Sequence, residues 1–118
     1  MSRDTPSRVD LLQGTLDLLI LRTLLTGPAH GHAVAGHIRR TSEELLKVET
    51  GSLYPALHRL EAQGFIAASW EISSKGKRAR FYKLTASGRK RLVAERSKWE
   101  ALSRAIGLIL NPVDQEAP

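Results

Sequence analysis

The chain has 118 residues, a formal net charge of +6 and no cysteine. That is the size of a single domain with a core large enough to need no staple, and the absent thiols exclude disulfides and thiolate metal sites. The basic balance favours a partner rich in phosphate or other anions, and no stretch has the uninterrupted apolar length of a membrane span or the pattern of a signal peptide, so a cytoplasmic protein is expected.

Residues 1–10 are polar, contain Pro6 and are expected to be flexible. A first helix is predicted from Thr15, as its cap, to about Thr26, with Asp17 complementing the dipole in the first turn. Leu16, Leu19, Ile20 and Leu24 mark one face, and Leu18, Leu21 and Leu25 widen the apolar arc. A helix apolar on most sides is buried on most sides. Two covers remain open for it: the chain's own core, or a second protomer. After Gly27-Pro28 a second helix opens at His30-Gly31-His32, is carried by Ala33, Val34, Ala35 and Ile38, and ends near Thr41. Residues 42–49 form a connector, either an extra helical turn or a short strand.

Residues 51–66, GSLYPALHRLEAQGFI, carry one apolar stripe of Leu53, Ala56, Leu57 and Leu60 at helical spacing. Thr50 or Ser52 can cap this third helix, Pro55 is expected in its first turn, and Gly64 stops it. Its other face carries Ser52, Tyr54, His58 and Arg59, without a carboxylate in the first two turns. The period then switches to two. Ile66, Ala68, Trp70 and Ile72 alternate with smaller or polar residues, as in a half-buried strand, with Trp70 expected in the core. A turn at 74–77 leads to a second strand over 80–84. Thr85 can cap a last helix over 86–110, which ends before Asn111-Pro112. Its apolar positions Leu92, Trp99, Leu102, Ile106 and Ile109 fit a heptad with Glu95 as the defect. Residues 111–118 are expected to be a flexible tail.

Between positions 75 and 91 there are eight basic residues and no acid. That run straddles the predicted hairpin tip. The expected fold class is therefore mainly α with a small β-hairpin (α+β): a winged helix-turn-helix over residues 11–85 followed by a dimerisation helix over 86–110. A helix of this kind fills a major groove and reads base edges, while a basic hairpin reaches phosphates or the adjacent minor groove.

Three segments resemble the PadR family of bacterial transcriptional regulators: GTLDLLIL with GPAHGHAVAGHI, then GSLYPALHRLEAQGFI, then RFYKLTASG. Together they span residues 14–88. The short final helix is similar to that of the compact subgroup with one such helix. The resemblance implies a homodimeric repressor with the first and last helices packed across the two-fold, and a small effector, often a flat aromatic. It also implies that Tyr54, Pro55 and their polar neighbours lie at DNA. The family usually has an aromatic residue after the His-Gly pair, where this chain has His32.

The candidate DNA-binding residues are Thr50, Ser52, Tyr54, Pro55, His58 and Arg59 on the third helix, and Lys75, Lys77, Arg78 and Arg80 on the wing. Arg59 has a second reading, as the partner of Glu61, Glu43 or Glu44. The candidate dimer interface is Leu18, Leu21, Leu92, Trp99, Leu102, Ile106 and Ile109. Trp99 fills the seam or walls an effector pocket. His30, His32, His37 and His58 have no acid at ligand-like spacing, so no metal is expected, with His30 available as a helix cap. No catalytic constellation, phosphate loop or cofactor motif is present, so an enzyme is not expected. The function expected is sequence-specific binding of a pseudo-palindromic operator. The alternatives are a protein-contact winged helix and a non-specific architectural DNA binder.

Overall fold

The computed structural model describes residues 13–112. The expected flexible segment 1–10 lies outside them, as does most of the expected tail. The element order is α1 (Gln13–Leu24), β1 (Ala29–His30), α2 (Gly31–Thr41), α3 (Thr50–Ala62), β2 (Ile66–Ile72), β3 (Arg78–Leu84) and α4 (Ala86–Leu110). Helices α1 to α3 pack around one core, backed by an antiparallel sheet in the order β1-β3-β2. The fold is the expected α+β winged helix with a long helix after the wing.

Helix α1 is central to this core. Leu16, Ile20, Leu21 and Leu24 are all buried, and so is Leu18. The helix begins at Gln13, so Thr15 lies inside it rather than capping it. Buried Thr23 satisfies its hydroxyl by donating to the Leu19 carbonyl at 2.8 Å, as a threonine within a helix can. Strand β1 has only two residues, too few for any periodicity to announce. It exists because the His30–Phe81 and Ala29–Tyr82 pairs extend the wing sheet by one edge. The same His30 then caps α2, its Nδ1 accepting from the Ala33 N–H at 3.2 Å. The connector at 42–49 is neither a helical turn nor a strand. It reverses at Glu43 and Glu44, both at positive φ, then runs irregularly into α3.

Helix α3 starts one turn earlier than its Pro55 implied. Glu49 is the N-cap residue, without a side-chain cap bond, so Thr50 and Ser52 are already helical. Pro55 therefore falls in the second turn, where it removes the usual donor to the Gly51 carbonyl. The helix ends as expected at Gly64, which takes φ +81. There Phe65 N–H donates to Leu60 C=O and Gly64 N–H to Glu61 C=O, the paired bonds of a Schellman stop.

In β2 only Ile66 of the alternating apolar set is buried; Trp70 is 54% exposed and Ile72 67%. The expectation of a core Trp70 is overturned because the hairpin runs on past the helical layer, so the inner face has nothing left to cover it. Thr85 caps α4 by accepting from Gly88 N–H at 3.0 Å, and its hydroxyl donates to the Gly64 carbonyl at 2.7 Å, tying both helix ends together. Gly88 is required there: a Cβ would collide with the Phe65 carbonyl oxygen.

Two of the expected interface residues are corrected. Leu21 is 0% exposed and Leu92 6%, both enclosed by the chain's own core, so neither has surface to offer a second chain. Leu18, at 9%, is almost as covered. Beyond Leu92, α4 has no buried residue, although Glu95, Trp99 and Leu102 still border α1.

Candidate nucleic-acid interface

Burial of Leu53, Ala56, Leu57 and Leu60 fixes how α3 is rolled. Thr50, Ser52, Pro55 and His58 are consequently exposed. Tyr54 is half-buried. Its ring and hydroxyl lie over Gly31 at the start of α2, so close that a Cβ on Gly31 would stand 2.6 Å from the hydroxyl oxygen. The glycine thus makes the seat for the tyrosine, and Tyr54 is a packed residue with one edge in solvent.

That edge opens into a cleft of about 450 Å3 between α2 and the wing. His30, His32 and Tyr54 line one side, and Lys75, Lys77 and Arg78 the other. The wing tip is a tight turn. Ser73 N–H donates to Lys77 C=O at 2.7 Å, Gly76 sits at φ +76, and Ser73 Oγ accepts from the N–H groups of Lys75 and Lys77 at 3.3 Å. The turn leaves Lys75 and Lys77 exposed. A cleft walled by cations on one side and a helix start on the other attracts phosphate oxygens.

Two of the sequence candidates turn inward. Arg59 donates to Asp17 of α1 at 2.5 Å, and its Nε is buried without a partner. Asp17 is therefore its partner, not Glu61, Glu43 or Glu44. The one signal available in the sequence was that Asp17 is the single acid of the leucine-rich α1. Arg80 is bound to Glu61 of α3 at 2.7 Å and is half-buried. Arg78 stays exposed, its guanidinium 4.8 Å from the centre of the Trp70 ring. Beneath the cleft Tyr82 is buried, and burial pushes its phenol above the usual value, with Glu61 and Tyr54 adding to the rise and Arg80 opposing it.

The histidines do not converge. His30 caps α2 and packs edge-on against Phe81, His37 meets the Thr41 hydroxyl, and His32 and His58 are exposed. Among the described residues no group of three His, Asp or Glu side chains could hold a metal. No helix among them is long and apolar enough to cross a membrane.

A second surface lies on α4. Trp99, Leu102, Ile106 and Ile109 are 44–76% exposed along one stripe. Trp99 and Leu102 join Leu18 of α1 around a cavity of about 220 Å3. Glu95 enters the same cavity, and its largely covered carboxylate is held by Arg91 at 3.0 Å and Lys98 at 3.4 Å. The heptad defect is thus a neutralised charge rather than a bare one.

Residues 20–94 match the model of a family described as transcriptional regulator PadR-like. A PadR family transcription regulator from Clostridium difficile R20291 is 28% identical, with 81% of this chain and 98% of that one covered at a TM-score of 0.71. A PadR family transcriptional regulator from Eggerthella lenta is 30% identical, with 84% of each chain covered and a TM-score of 0.71. The transcriptional regulator Rv3488 from Mycobacterium tuberculosis is 38% identical over 60 residues, 51% of this chain and 55% of that one.

Proposed function

The chain belongs to the PadR-like family of transcriptional regulators, and from that premise we propose that it acts as a homodimeric repressor of a pseudo-palindromic operator. Members of this family bind DNA and are regulators, not enzymes. The observation that carries the finer reading is the cleft. Tyr54 of α3, the start of α2 and the cationic turn of the wing line it, and α3 also exposes Thr50, Ser52, Pro55 and His58. In this reading Thr50, Ser52, Pro55 and His58 meet the major groove, with Tyr54 offering its hydroxyl to backbone or sugar. Lys75, Lys77 and Arg78 meet phosphates. Arg59 and Arg80 hold α3 in place through Asp17 and Glu61 and do not contact DNA.

The stripe of Trp99, Leu102, Ile106 and Ile109 supports the dimer, because a projecting apolar helix face needs cover. Repression follows from occupancy: a dimer seated on its operator excludes other proteins from it. The cavity beside Trp99 is the place for a small aromatic effector, which would act by shifting α4 against α1. Such a regulator works in the cytoplasm.

Selection of bound DNA from a random pool, followed by affinity across a salt series, tests this function. A two-fold-related consensus and steep salt dependence are expected. Lys77→Ala should weaken all duplexes and reduce the salt slope by about one. Equal affinity for random duplexes would identify an architectural binder instead. No binding at physiological salt would leave the wing as a protein-contact surface.

A further inference from the structure

The exposed indole on the wing has a structural role that the family reading leaves unassigned. Register places Trp70 opposite Arg80 and Ile72 opposite Arg78, all on one face of the hairpin. Both guanidinium groups turn to the indole, with Cζ at 4.8 Å from the ring centre for Arg78 and 5.8 Å for Arg80. These distances are within reach of the attraction between a cation and an aromatic face. The two arginines differ in what else they do. Arg80 also binds the Glu61 carboxylate at 2.7 Å, so its charge is taken up between wing and α3. Arg78 is exposed and borders the cleft with Lys75 and Lys77.

We propose that Trp70 is a positioning residue for DNA binding: its indole holds Arg78 ready for a phosphate. The proposal rests on the reading of the wing as a DNA-contacting element. Stacking uses the flat face of the guanidinium and leaves its N–H edge for phosphate oxygens. An arginine loses rotamer freedom when it engages phosphate, and one already stacked has lost much of it beforehand. Trp70 also lies under Arg80, so one ring couples the outward arginine to the inward brace on α3. The indole itself need not touch the nucleic acid.

The test is a mutant cycle on the full chain, read as affinity for a fluorescent mixed-sequence duplex across a potassium chloride series. Trp70→Leu keeps apolar bulk and removes the aromatic face; Trp70→Phe restores a face. Arg78→Ala should weaken binding and lower the salt slope by about one. Trp70→Leu should weaken binding about threefold to tenfold with the slope retained, since Arg78 keeps its charge. In the Arg78→Ala background Trp70→Leu should cost nothing more, and Trp70→Phe alone should keep most of the affinity. The idea is overturned by wild-type affinity in Trp70→Leu, by losses that multiply in the double variant, or by equal losses for Leu and Phe. An Arg78→Ala variant with unchanged affinity and slope would remove the wing reading itself, and this inference with it.

Discussion

Arg59 shows how one contact reassigns a side chain. On a helical wheel it shares the polar side of α3 with Ser52 and His58, which suits a groove. In the fold it reaches Asp17 across 42 residues of sequence. Both side chains are largely covered, at 30% and 18% exposure, so deleting either leaves a poorly hydrated charge. Arg59→Ala and Asp17→Ala should each lower stability by about 1–3 kcal/mol in urea unfolding, while the salt slope of DNA binding stays that of wild type. A slope reduced by one in Arg59→Ala would mean that the arginine leaves Asp17 for phosphate. Tyr82 gives a pH prediction. Its phenol is raised by burial, so between the unfolded and folded values the native chain holds a proton that the unfolded chain has released. Stability from this group is complete below about pH 10 and falls as pH rises further. The urea midpoint should therefore drop more steeply above that pH in wild type than in Tyr82→Phe.

At the scale of elements, local signals were the readable ones. The last helix is found over Ala86–Leu110, as its Thr85 cap and its Asn111-Pro112 stop implied, and Gly64 ends α3 because only a positive φ completes the stop there. Helix starts were misplaced locally, at Thr15 in α1 and at Thr50 in α3, and the other misreadings were non-local. β1 depends on β3 for its existence, and Trp70 on where the helical layer ends. Helix α4 carries its own prediction. Beyond Leu92 its apolar stripe is only partly covered by α1, which Trp99 and Leu102 approach at Leu18, and Ile109 is 76% exposed. Ile106→Asp places a charge in that stripe and should convert a dimer, by light scattering at micromolar concentration, into a monomer. Trp99→Ala should weaken the dimer without altering the wing. A monomeric mass for the wild-type chain would remove the two-fold model.

For the whole molecule, the projecting α4 gives principal extents of 64 × 35 × 20 Å. In the proposed dimer, the winged domains would carry the reading surfaces and the apolar stripes of the two last helices would meet. Two α3 helices related by a two-fold should then enter successive major grooves on one side of the duplex. The operator half-sites should lie about 34 Å apart, or one helical turn. Footprinting of the selected sequence checks this, and inserting half a turn between half-sites should abolish high affinity while leaving each half-site weakly bound.

The amino-acid sequence alone determined the order of the four helices and the wing hairpin, the apolar stripe of α3, the cap and stop of α4, the cationic wing turn and the family. These are set by neighbours a few residues apart, through backbone conformation and periodic burial, so a one-dimensional pattern carries them. The tertiary structure decided which polar side chains remain available. It turned Arg59 and Arg80 inward onto Asp17 and Glu61, seated Tyr54 on Gly31, closed Leu21 and Leu92 inside the protomer, and left Trp70 exposed beneath Arg78. Each outcome depends on a partner far away in sequence, and a charge or a ring is assigned only when the element opposite it is in place.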